Sequence, residues 1–235
     1  MNCFAHAYHF LDEDPWFVTG TVLPDWLSMA ARKSRIRGNT ARHFLGDTDR
    51  QLAALARGVT RHHEDDQWFH SGSHFVQLNL QFSVELRDLL GTDAGFRPHI
   101  AGHIVIEMLL DSFLAVANRS RLDRFYGIIA GIPADRLADS VNRMAPRPTT
   151  RIVEFHRRFV EEAWLYDYLD DSRVHYRLNR VLIRTGLPSL PVTFVDWVAT
   201  ARQTVYDQAD RLLAGFATVA SPVPPRSRLS PESGS

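Results

Sequence analysis

Two runs of histidine and carboxylate carry the chemistry of this sequence. The first is His62, Asp66, His70 and His74, and the second is His99, His103, Glu107 and Asp111. Each run is spaced by four, and six of the eleven histidines fall between residues 58 and 111. An α-helix turns by about 100° per residue, so side chains four apart lie one turn up and roughly 40° round. Adjacent members of a run can share one metal ion. Four in a row spread over roughly 120°, which is too wide for a single ion. The spacing therefore predicts two facing helices, each giving two or three ligands. Imidazole nitrogen and carboxylate oxygen suit zinc, manganese or iron. Neither run contains cysteine, which excludes a thiolate zinc finger. A lone buried histidine is usually a satisfied core residue. Two four-spaced runs set among Trp68, Phe69, Phe75, Ile104, Ile106, Leu109 and Leu110 instead need partners for several buried ionisable groups.

The elements that must position these residues read as helices throughout. Pro98 opens the second ligand helix, expected to reach about Asn118. The first ligand helix is expected over about 59–70. Gly58 either joins it to a helix over 47–58 or permits close packing. Ser73 is the expected N-cap of a helix to Leu90, with Phe75, Leu78, Phe82, Leu86 and Leu89 at helical spacing. Asp14 and Pro15 make an N-cap and a favoured first helical position. Residues 20–25 read as a turn that delivers Asp25. Pro24 disfavours helix at Leu23, so Asp25 starts the next helix, as its N-cap or as a metal ligand. Further helices are expected at 133–144, 150–169, 172–185 and 193–217. Residues 119–132 read as a linker or short helix, and Gly91 to Gly95 as a loop. No strand with a period of two is visible. The expectation is an all-α, single-domain bundle of about nine helices over 1–220, then a disordered Ser/Pro-rich tail over 221–235.

Composition narrows the function classes. A formal net charge of zero gives no argument for nucleic acid or an anionic membrane as partner. The single cysteine, Cys3, reads as a buried thiol and rules out a disulfide framework within the chain. The opening residues lack a basic segment and a long apolar run, and no stretch of eighteen apolar residues occurs. No membrane span is expected, and the cytoplasm is the expected compartment. Residues 32–61 hold eight Arg/Lys against Asp47 and Asp49. This stretch suits docking of an anionic partner or forms a solvated face. The phosphate-cradling glycine loops and the serine elbow are absent, which disfavours nucleoside triphosphatases, dinucleotide enzymes and serine hydrolases.

Four blocks, in order, resemble the acyl carrier protein phosphodiesterases, all-helical metal-dependent enzymes of the HD type. They are Met1-Asn2-Cys3-Phe4-Ala5-His6; Gly20 with Leu23-Pro24-Asp25; Gly58-Val59 with His62 and Asp66; and Glu107 with Asp111-Ser112-Phe113-Leu114. Trp164, Leu165 and Tyr168 also suit that family's C-terminal half. Ser112 stands where the family has histidine. The Gly20–Asp25 and His62-Asp66-His70 patterns are also similar to zinc-dependent phospholipase C domains. The resemblance implies an HD-like bundle and metal-assisted phosphodiester hydrolysis, releasing phosphopantetheine from a serine of acyl carrier protein. It implies metal ligation by Asp25, His62, Asp66 and Asp111, with Glu107 or His103 completing the site and His6 and His70 next in line. Asp66, Glu107 and His70 are the expected catalytic residues, Glu107 as proton acceptor. The rival expectations are a phospholipase C-like or nuclease-like phosphodiesterase, and a non-catalytic helical protein that binds metal or a partner.

Overall fold

The computed structural model describes residues 1–91 and 95–216, and among these every regular element is a helix. The expected tail, and the middle of the loop from Gly91 to Gly95, lie outside the described residues. In chain order the α-helices are α1 (Cys3–Ala7), α2 (Pro15–Ala30), α3 (Gly38–Arg42), α4 (Arg50–Ser71), α5 (Ser73–Leu90) and α6 (Pro98–Ala117). They continue as α7 (Arg119–Ala130), α8 (Ala134–Met144), α9 (Arg151–Glu162), α10 (Asp171–Arg184) and α11 (Phe194–Leu212). Short 3-10 turns cover Tyr8–Phe10, Arg32–Ser34 and Trp164–Leu169. One hydrophobic cluster runs from Met1 to Phe216.

The all-α class stands, with eleven α-helices among the described residues rather than about nine. The main correction concerns residues 20–25. They are not a turn: α2 runs unbroken through Gly20 and Pro24. Pro24 removes one amide from the helix ladder. Burial of Val18, Val22, Leu23, Trp26 and Leu27 outweighs that loss. Asp25 is thus an interior helical residue, not an N-cap. Likewise α4 is a single helix, and Gly58 sits inside it as a packing residue. A Cβ on Gly58 would lie 2.1 Å from the Phe17 carbonyl oxygen, and one on Gly20 would lie 2.3 Å from that of Leu55. Only two glycines facing each other let the backbones of α2 and α4 touch.

Smaller differences have local causes. Gly72, not Ser73, holds the N-cap position of α5. The expected helix over 150–169 is cut at Ala163, whose φ of 44° is left-handed, and Trp164–Leu169 continues as 3-10. Residues 119–130 form a full helix, capped by Asn118, which accepts from the Arg121 amide. Helix α6 is long and apolar enough to cross a membrane by length and composition alone, with a mean hydropathy of 1.8, although His103, Glu107 and Asp111 interrupt any run of eighteen apolar residues. It packs here against α5, α11, α1 and the Trp164–Leu169 turn, with 61% of that window buried.

Candidate metal centre

Helices α2 and α4 bring the first group together. One ligand atom each from His6, Asp25 and His62 lie within 4.8 Å of one another. His62 reaches the group from α4, one turn beyond Gly58. Its Nδ1–H donates to the Thr21 carbonyl at 2.8 Å, because a carbonyl can only accept. That bond fixes the tautomer and leaves Nε2 facing Asp66 Oδ2 at 3.3 Å and Asp25 Oδ1 at 3.8 Å. His6 lies on the short α1 and stacks on His62 with ring centroids 3.9 Å apart. Its Nε2 faces the Met1 carbonyl and Asp66 Oδ1, and its buried Nδ1 faces Asp65 Oδ2 at 3.7 Å.

Helices α4 and α6 form the second group, in which ligand atoms of His70, His103 and Glu107 again lie within 4.8 Å. Glu107 Oε1 takes His70 Nε2 at 2.9 Å and His103 Nε2 at 3.0 Å. The two groups differ in access. His6 and His62 are buried, whereas the His70 and His103 side chains are 32% and 35% exposed. Asp66 stands between the groups. Its Oδ1 accepts from the Met1 α-amino group at 2.7 Å, and the same nitrogen lies 3.1 Å from Glu107 Oε1. The run on α4 therefore divides: His62 serves the first group, His70 the second, and Asp66 lies between them.

The electrostatics favour a cation here. Burial pushes Asp66 up, but hydrogen bonds from His6 and His62 outweigh it and hold the carboxyl far below its ordinary range. Burial likewise opposes ionisation of Glu107, yet the Met1 amino group, His103 and His70 keep it well below its usual value. Burial raises Asp25 despite the neighbouring His62 and His6. His6 rises to about 9, because Asp65 and Asp66 more than offset its burial. The Met1 amino group, also buried, rises to about 11 beside Glu107 and Asp66. The site thus stabilises positive charge, and its donor set of imidazoles and carboxylates suits a divalent ion.

The remaining expected residues fall elsewhere. Asp111 is buried and belongs to neither group. Its oxygens accept from the amides of Ala5 at 2.7 Å and Phe4 at 3.1 Å, capping α1 where the Asn2 side chain does not cap it. Burial raises it to about 7. By anchoring α1, Asp111 places His6. His74 and His99 are exposed and join neither group. Ser112 points to α11, bonding Arg202 at 2.6 Å and Tyr206 at 2.9 Å. Cys3 is buried, and its thiol points at Asp25 Oδ2 from 3.6 Å.

Sequence reasoning did not single out Met1, Thr21 or Asp65. Asp65 is fully buried and bound by Arg61 at 2.6 Å, an i,i+4 pair whose spacing was visible although its burial was not. Nothing in the sequence links Met1 to residues 66 and 107. No protein-family model, no curated protein and no solved structure matches this chain. Fold and site define it as an all-α protein with two adjoining groups of side chains that could hold a metal ion.

Proposed function

We propose that this chain is a metal-dependent phosphodiester hydrolase of the kind its sequence blocks resemble, with phosphopantetheinyl acyl carrier protein as a candidate substrate. The observation that carries this reading is the pair of His/carboxylate groups joined through Asp66, one with buried histidines and one with half-exposed ones. His6, Asp25, His62 and Asp66 would hold one ion, and His70, His103 and Glu107 a second. The second set is two imidazoles and one carboxylate, the donor set of many catalytic zinc sites. The first, with more oxygen, also suits manganese or iron. A bound divalent ion supplies Lewis acidity and makes a water acidic enough to ionise near neutral pH.

The chain's own residues have separate tasks. Thr21 orients His62, and Asp111 holds the helix that carries His6. Glu107, kept ionised, would hold the second ion together with His70 and His103, whose Nε2 atoms already converge on its Oε1. Arg32, Lys33, Arg35 and Arg37 are exposed and form no ion pair among the described residues. The Ile36 carbonyl in this loop accepts from His63 at 3.0 Å, and the His63 ring meets that of His62. An anionic partner would therefore meet four cations one side chain away from the centre.

The experiment is hydrolysis of bis(4-nitrophenyl) phosphate by metal-loaded protein, then release of phosphopantetheine from holo acyl carrier protein. Turnover lost in Asp66→Ala supports the reading; a metal-loaded protein inert on every phosphodiester removes it. A second reading, a phospholipase C-like enzyme, is favoured by one observation. Val76, Leu80 and Val84 are exposed at a spacing of four on α5, as a lipid-facing stripe would be. Cleavage of phosphatidylcholine vesicles in preference to acyl carrier protein selects it.

A further inference from the structure

A cavity of about 200 Å³ lies where the end of α4, the start of α5 and the end of α11 meet. Its walls include Trp68, Phe69 and Phe75, with Arg211 and His74 as its polar side. Arg211 is exposed and makes no ion pair among the described residues. The cavity adjoins the open half of the centre through shared walls. The Phe75 ring lies 5.1 Å from that of His70 and 5.0 Å from that of His103, and the Phe69 ring lies 5.6 Å from that of His70.

We infer that this cavity is the subsite for a flat aromatic arm of the substrate, with Arg211 receiving an anionic oxygen attached to it. The inference rests on the phosphodiester reading but not on the acyl carrier protein candidate, whose pantetheine arm is aliphatic; it points instead to aryl or nucleoside phosphoesters. The size is right: a dry cavity of about 150 Å³ accommodates benzene, so this one holds a single ring system and its first substituents. The walls are right as well, since aromatic faces reward a planar ligand and a guanidinium pairs with a phosphate in a fork that ammonium cannot match. An aliphatic chain would gain nothing from Arg211, and a bare phosphate would gain nothing from Trp68, the half-buried aromatic of the lining.

The test is calorimetric titration of the full chain, kept in chelator, with 4-nitrophenyl phosphate and separately with inorganic phosphate. One 4-nitrophenyl phosphate per chain is expected, bound at least about tenfold more tightly than phosphate. Arg211→Ala should weaken it by about tenfold or more, and Ser73→Trp, which fills the cavity from its rim, should abolish it. Equal affinity for the two ligands, or unchanged binding in Arg211→Ala, overturns the inference. If Ser73→Trp fails to fold by circular dichroism, Arg211→Ala decides alone. Hydrolysis needs no part in this readout. Binding of 4-nitrophenyl phosphate by a protein that, once metal-loaded, is inert on every phosphodiester removes the hydrolase reading and leaves the subsite, whereas phosphodiester turnover without that binding in chelator removes the subsite alone.

Discussion

Replacing Gly58 with alanine tests how the centre is built. The new Cβ would sit 2.1 Å from the Phe17 carbonyl oxygen and 2.7 Å from Gly20 Cα, where ordinary contact begins at 3.4 Å. Both near atoms are backbone, so no side chain can swing aside. The helices must part by about 1 Å, an overpacking cost of about 3 kcal/mol at the upper end of the usual range. Alanine returns about 1 kcal/mol of helix propensity. The net loss is about 2 kcal/mol, or roughly 4–8 °C in Tm for a domain of this size. Parting also separates Asp25 on α2 from His62 on α4, now 3.8 Å apart, so metal affinity should fall by about tenfold or more. The control is Gly127→Ala in α7, where a Cβ meets nothing within 4 Å, so propensity alone should raise stability by up to about 1 kcal/mol. The assay is thermal unfolding followed by circular dichroism, with bound metal measured after dialysis. If Gly58→Ala matches the parent in both Tm and metal, or moves with Gly127→Ala, the close α2–α4 contact does not position the site.

Further outcomes follow from other contacts. Arg61→Ala removes the nearer cation of the fully buried Asp65, leaving His6 Nδ1 at 3.7 Å, and should cost about 3 kcal/mol in urea unfolding, a loss that Arg61→Lys should partly recover. His156 is lowered below its ordinary 6.5 by burial, and its Nε2–H donates to the Ile129 carbonyl at 3.0 Å. A depressed histidine is neutral in the fold and charges on unfolding. It therefore contributes stability above about pH 6.5 that is lost as pH falls through its folded value; His156→Gln should flatten the slope of Tm against pH below 6.5. If the centre binds metal, a free concentration a hundred times the Kd should stabilise the chain by about 2.7 kcal/mol. Chelator should lower Tm in the parent and lower it less in Asp66→Ala, which keeps the ion of the His70, His103 and Glu107 group.

What the sequence made legible follows from helical periodicity. The four-spaced runs put His62, Asp66 and His70 along one side of a helix, and His103 with Glu107 along another, because that spacing needs no tertiary knowledge. Which members meet does need it. His62 and His70 separate into two groups because α1 and α2 approach one end of the α4 run and α6 the other. Asp111 has the right spacing, yet its oxygens are taken by the Ala5 and Phe4 amides, a contact 106 and 107 residues distant in sequence. Pro24 misled for the opposite reason: a sound local rule was overridden by the burial of its neighbours. Gly20 and Gly58 were visible as glycines, but only the structure shows that they face each other.

The most direct measurement is elemental analysis of the purified chain beside His62→Ala and His103→Ala. Zinc, manganese or iron should be present in stoichiometric amount in the parent. Each variant should lose the share held by its own group and keep its helical circular dichroism. A parent that carries no metal and takes up none on reconstitution, or variants with the parent's full content, would contradict the account.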